Sequence, residues 1–262
     1  MDSALRAAAT GMQAQQTRVE VIANNLANVN TTGFKRSRAH FEDLLYQTIE
    51  GSATVDGADI GATEAIQIGR GTRLAAVQRV DLQGPIEQTG RPLDLAIEGD
   101  GFFEVRLPDG ESAYTRDGSF TISDRGTLVT NSGYTVSPGI TLPSGATELT
   151  VSRTGVVTVL TGAGGQSVEI GRLELARFTN SPGLRALGEN LYRETAASGE
   201  PQTGFAQGEG FGRILQGSLE ASNVEIVQEM VDMITAMRAY EINSKAVQSA
   251  EEMAEIANSL IR

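Results

Sequence analysis

The stretch SNVEIVQEMVDMITAMRAYEINSKAVQSAEEMAEIANSLIR, Ser222 to Arg262, decides the fold. From Val224 onward it holds neither Gly nor Pro, and Ile226, Met230, Met233, Met237, Tyr240, Ser244 and Val247 follow one another at steps of four and three. That spacing sets side chains on one face of an α-helix. After one break Ala250, Ala254, Ala257 and Ile261 continue the stripe, while Val227, Val231 and Ile234 widen it. Ser222 and Glu225 make an S-x-x-E pair, which predicts a capping box where the helix starts. A helix of about 40 residues is about 60 Å long, and so broad an apolar face needs more than one neighbour.

A second stripe lies at the other end of the sequence. Leu5, Met12, Val19 and Leu26 recur at intervals of seven with Ala8, Ala9, Ile22 and Ala23 between them, predicting a helix of roughly 27 residues. Asp2 or Ser3 suits its start, and Asn28, Asn30 and Gly33 suit its end.

Between the helices the period falls to two. Leu93, Leu95 and Ile97 alternate with other residues, as do Phe103, Val105 and Leu107, Phe120 and Ile122, Tyr134 and Val136, Val168 and Ile170, and Leu173 and Leu175. Pro108-Asp109-Gly110, Asp117-Gly118, Asp124-Arg125-Gly126, Asn131-Ser132-Gly133 and Arg153-Thr154-Gly155 punctuate these runs as turns. All seven Pro lie between Pro85 and Pro201, no Gly follows Gly217, and only Gly11 and Gly33 precede residue 49. The expected class is α+β: two long terminal helices forming a coiled-coil-like assembly domain, around a mainly antiparallel β-domain with extended arms. The expected boundaries are an N-terminal helix over 1–34, an arm over 35–92, the β-domain over 93–187, a return arm over 188–220 and the C-terminal helix over 221–262.

Composition excludes much chemistry. With no Cys there is no disulfide scaffold, thiolate zinc site or thiol nucleophile, and a single His, His40, supplies no imidazole cluster. A formal net charge of -12 argues against duplex nucleic acid, whose binding rests on Lys and Arg neutralising phosphates. No apolar run has the length of a bilayer-spanning helix, and MDSALRAAATGMQAQQ lacks the basic and apolar regions of a cleavable secretory signal. The expectation is therefore no enzyme, no cofactor, no metal, no nucleic acid and no transmembrane helix.

Local candidates have plain readings. Gly208-Glu209-Gly210-Phe211-Gly212 lacks the strand-turn-helix context of a nucleotide loop, and Gly99-Asp100-Gly101-Phe102-Phe103 reads as a tight turn entering a strand. Asp100, Asp109, Asp117 and Asp124 sit at Gly turns without the spacing of a calcium loop. His40 lies near Asp43 with no nucleophile in a recognisable setting. Lys35, Arg36 and Arg38 are too few for a nucleic-acid patch and are expected to meet acidic groups on a neighbouring subunit.

Specific motifs then enter. VIANNLANVNTTGFKRSRAHFEDLLYQT, Val21 to Thr48, resembles the N-terminal signature of the flagellar rod and hook axial proteins. GDGFFEV (Gly99 to Val105), AYTRDGSF (Ala113 to Phe120) and GTLVTNSGY (Gly126 to Tyr134) are similar to the family's central β-domain. QGSLEASNVEIVQEMVDMI (Gln216 to Ile234) and RAYEINSKAVQ (Arg238 to Gln248) are similar to its C-terminal helix. The signature residues so matched are Asn24, Asn25, Asn28, Gly33, Phe34, Tyr240 and Glu241. Length, the FEDLLYQT segment and ENLY (Glu189 to Tyr192) favour a distal-rod member, with a proximal-rod member as the competing reading and a non-flagellar extracytoplasmic β-domain binding module as the third.

The resemblance implies a structural subunit of the bacterial flagellar basal body that polymerises into a hollow helical drive shaft across the periplasm. Its implied partners are other copies of itself, proximal rod and hook proteins, the surrounding rings, the rod cap and the type III export apparatus, and export would need no cleavable signal. The stretch Ile49 to Gly71 falls where the family carries a rod-type insertion. On this reading the terminal helices pair, pack into the inner tube with the β-domain outside, and present an assembly interface of Leu5, Met12, Val19, Ile22, Leu26, Ile226, Met230, Met233, Ile234, Met237, Tyr240, Val247 and Ile261.

Overall fold

The computed structural model describes residues 2–50, 66–143, 145–161 and 166–260. The chain divides into two compact units. One takes the chain up to Leu26, the stretch Ser37–Gln78 and everything from Ile226; the other takes Ala27–Arg36 and Arg79–Glu225.

The first unit is built on helices α1, Asp2–Ala27, and α2, Ile226–Leu260. They lie antiparallel. A Cβ on Gly11 would come within 2.8 Å of the Asn243 amide nitrogen, Arg18 reaches Asp232 at 3.5 Å, and Asn25 donates to Glu229 at 3.1 Å. As α1 advances from 11 to 25, α2 thus retreats from 243 to 229. The same unit holds the strand Ser37–Asp43, which pairs with Thr72–Arg79, and Tyr46–Glu50, which runs antiparallel to Ile66–Gly69.

Ser222 does not cap α2. The helix begins at Ile226, and the Ser222 hydroxyl instead accepts the Val224 N–H at 3.3 Å, a local turn that holds the chain extended before the helix. α1 likewise stops at Ala27, and residues 28–33 are turns.

The second unit is antiparallel β-structure. Its main sheet runs in the order Arg185–Gly188, Leu191–Arg193, Ser112–Thr115, Phe102–Arg106, Thr135–Val136, Leu128–Thr130, Phe120–Ile122, with Glu174–Arg177 and Gln202–Phe205 branching from Phe102–Arg106. A three-stranded sheet, Ala146–Val151, Val156–Thr161 and Gln166–Arg172, and two short ladders complete it. The strand Phe102–Arg106 shows why alternation was only half visible. Phe103 and Val105 enter the main core with Leu95, Ile97, Phe120 and Leu175. Phe102, pointing the other way, joins a second apolar cluster with Tyr114, Phe178 and Tyr192, where rings pack edge to face.

The segments expected as arms are part of this fabric. Leu191–Arg193 and Gln202–Phe205 belong to the main sheet, Arg213–Gln216 pairs with Leu95–Glu98, and Ser218–Glu220 pairs with Ile86–Gln88. Gly-rich composition concealed them, since the strands are short and gain stability from their partners more than from their own side chains. The β-rich unit is therefore wider than the 93–187 expected. Of the arm over 35–92 and the 49–71 stretch, residues 51–65 lie outside the described residues.

Candidate assembly surface

Small and polar residues line the contact between α1 and α2. On α2 the buried positions are Glu229, Ala236 and Ala250, seven residues apart or multiples of it, with half-buried Asn243 completing the series. On α1 they are Ala14, Ile22 and Asn25. Gly11 fits against Asn243 because it has no Cβ. Of these positions the sequence stripe includes Ala250, but it follows the larger side chains and so passes over Glu229 and Asn243.

Those larger side chains face elsewhere. Ile226, Met230, Ile234, Met237 and Tyr240 are exposed, Met237 by 51%, together with Val227 and Val231. Met233 and Val247 are half-buried, as are Leu5, Met12, Val19 and Leu26; Ile22 is buried within the chain, and Ile261 lies outside the described residues. Between the helices runs a groove of about 680 Å³ lined by Val19, Ile234, Met237 and Tyr240 together with the polar Gln16, Glu20, Arg238 and Glu241. Signature residues Tyr240 and Glu241 thus stand in this groove.

Asn25 has a different task. Its amide donates to the Ser37 carbonyl at 2.9 Å and to Glu229 at 3.1 Å, and its carbonyl oxygen accepts the Ser37 N–H at 2.8 Å. One side chain thereby ties the end of α1 to the start of the Ser37–Asp43 strand and to α2. Asn28 accepts the Thr31 hydroxyl at 3.2 Å, in the turn after the helix.

Within the β-rich unit, the residues that follow α1 and precede α2 in sequence are fastened together. Asn223 accepts the Arg36 N–H at 2.8 Å and donates to the carbonyls of Val80 and Leu82, both at 2.9 Å, and its own N–H reaches the Phe34 carbonyl at 3.4 Å. Gly33 holds φ +68° and donates to the Glu220 carbonyl at 2.8 Å; a Cβ there would stand 2.8 Å from the backbone of Arg116 and Asp117. Under it lies a buried triad, in which Glu220 pairs with Lys35 at 2.5 Å and with Arg116 at 3.3 Å. Burial pulls the Lys35 ammonium below its ordinary range, with the Glu220 charge opposing, and lowers Arg116 in the same way. Lys35 therefore does not reach out to a neighbouring subunit: it is 3% exposed and neutralised by its own chain. Arg38 and His40 stay exposed.

Among the described residues no cluster of three or more His, Cys, Asp or Glu is placed to hold a metal ion, and no helix is long and apolar enough to cross a membrane. What the first unit offers is an uncovered apolar face and a groove, which is the chemistry of association.

Comparison with known proteins gives that face its context. Residues 5–35 match the family described as "Flagella basal body rod protein", residues 96–159 the "Flagellar hook protein FlgE/F/G D1 domain", and residues 215–260 the "Flagellar basal body rod FlgEFG protein C-terminal". The chain is 50% identical to the flagellar basal-body rod protein FlgG of Borreliella burgdorferi over all of both chains. It is 49% identical to FlgG of Caulobacter vibrioides over 98% of each chain, but 36% identical to FlgF of the same organism over 98% of this chain and 97% of that one. With full-length identity near one half to FlgG proteins and a clear drop to FlgF, the chain belongs to the FlgG family of flagellar basal-body rod proteins, structural subunits and not enzymes.

Proposed function

We propose that this rod protein builds the distal segment of the flagellar rod, polymerising head to tail into a hollow helical shaft that passes torque from motor to hook across the periplasm. The observation that carries the reading is the outward ladder on α2, Ile226, Met230, Ile234 and Met237, which a lone chain leaves about half exposed. Unpaired apolar faces of that extent in a soluble chain mark a surface that a partner covers. Identical subunits joined by different patches form an open helical polymer when the rotation does not close. Copies of the chain then bury α2 into a tube wall, with proximal rod and hook proteins at its two ends, and the rings, rod cap and export apparatus as its other contacts.

Electron microscopy of the full chain under assembly conditions tests the reading. Helical tubes are the expected product; particles that remain dispersed would favour a binding module.

A further inference from the structure

α1 ends at Ala27 and α2 begins at Ile226, about 200 positions later, a loop long enough to make their meeting entropically costly. The β-rich unit shortens it. Within that unit the Thr32 hydroxyl donates to Asp117 at 2.8 Å and the Thr32 carbonyl accepts the Asn190 amide at 3.2 Å. Gly33 donates to the Glu220 carbonyl, Asn223 accepts the Arg36 N–H and donates to the Phe34 carbonyl, and the buried pair of Lys35 and Glu220 lies among these bonds. The stretches 32–36 and 220–223 thus form one socket, built without a residue of either helix.

We propose that this socket is a pairing device: it gives α1 and α2 a common origin, so that two helices remote in sequence find each other as though joined by a short loop. Only about six residues, 28–31 and 224–225, separate the socket from the helices. Shortening the loop from about 200 residues to about six raises the effective concentration of one helix at the other by roughly two orders of magnitude. The seam is thin, so proximity carries the pairing more than contact area does. The Asn25 contact with Glu229, at 3.1 Å, joins the helix ends nearest the socket in sequence, and pairing then runs outward to Gly11 and Asn243. The device belongs to the lone chain, whether or not that chain builds rods.

Because the chain has no Cys, introduced thiols read the pairing cleanly. Gly11→Cys with Asn243→Cys places them across the seam, where the Asn243 Cγ stands 3.3 Å from a Cβ on Gly11, within reach of a disulfide. The ratio of disulfide to dithiol in glutathione buffers, measured on the dilute full chain, gives the effective concentration of one helix at the other. A Gly-Ser insert of about 24 residues between Glu225 and Ile226 is expected to lower that concentration roughly tenfold. The same insert in the exposed turn Asn131-Ser132-Gly133 lengthens the path from α1 to α2 equally but spares the socket, and should leave the ratio unchanged. If circular dichroism shows that this insert unfolds the β-rich unit, the turn Pro108-Asp109-Gly110 carries it instead. Equal effects of the two inserts would overturn the device, as would a change of less than about twofold from the first or a thiol pair that never oxidises. None of these outcomes touches the rod reading, which electron microscopy decides.

Discussion

Asn25 shows how much one side chain carries at the residue scale. Replacing it by Ala removes partners from the half-buried Ser37 backbone and one partner from buried Glu229, each loss costing about 1 kcal/mol. Hydrogen exchange at the Ser37 amide should accelerate accordingly, and Asn25→Asp should be worse at neutral pH, since it sets a second carboxylate beside Glu229. Gly33→Ala forces a side chain into a left-handed backbone position already touching Arg116 and Asp117. The conformational part alone is about 1–2 kcal/mol, read as a lowered melting temperature of the β-rich unit. Tyr114 titrates the same unit. Burial, helped by the charges of Glu104 and Glu194, pushes its hydroxyl up to about 12. A raised pKa means the folded state favours the protonated form, so its contribution is whole below the ordinary value near 10 and is lost as pH climbs towards 12. Tyrosinate absorbance and loss of β-structure should rise together in that window; ionisation at the ordinary value with the fold intact would contradict the burial. Asn25 and Gly33 were legible as signature letters, yet their tasks were not. Nor was the pairing of Lys35 with Glu220, 185 residues distant, because no local pattern encodes a partner that far away.

At the scale of elements, the two helices were legible almost to their ends, since a 3.6-residue period over many turns is hard to mimic. Their orientation was not. The sequence stripe marks where a helix is apolar, and α2 leaves its large members Ile226, Met230, Met237 and Tyr240 exposed while Glu229, Ala236, Asn243 and Ala250 lie on the side towards α1. Small residues allow close approach but bury little area, so the seam aligns the helices more than it stabilises them. A substitution on the outer face should therefore separate folding from assembly. Met237→Asp leaves the lone chain nearly unchanged, because the site is half exposed, but in the polymer it buries an unpaired charge at a cost of about 3–5 kcal/mol. Circular dichroism of the monomer should match that of the unsubstituted chain while rod assembly and motility fail; motile cells would count against the outward face as the interface. Short strands such as Ser218–Glu220 were missed for the opposite reason, being too brief to show any period.

For the whole molecule, the β-rich unit has two apolar clusters of its own, whereas the helical unit has a thin seam and an open face. The two should differ in stability. In a monomer, amides of Phe102–Arg106 and Ser112–Thr115 are expected to exchange slowest and those of α1 and α2 fastest, with the helices protected only once rods form. Full protection of both helices in a proven monomer would refute the dependence on neighbours. The thin seam between α1 and α2 has one more effect, on timing. If the helices complete their burial only against another copy, ordering them is a step of growth, and two free chains meeting in solution gain too little to pay for it. Elongation then outruns initiation by a wide margin, so that a shaft lengthens where a finished edge already stands and the surrounding pool stays clear of stray filaments.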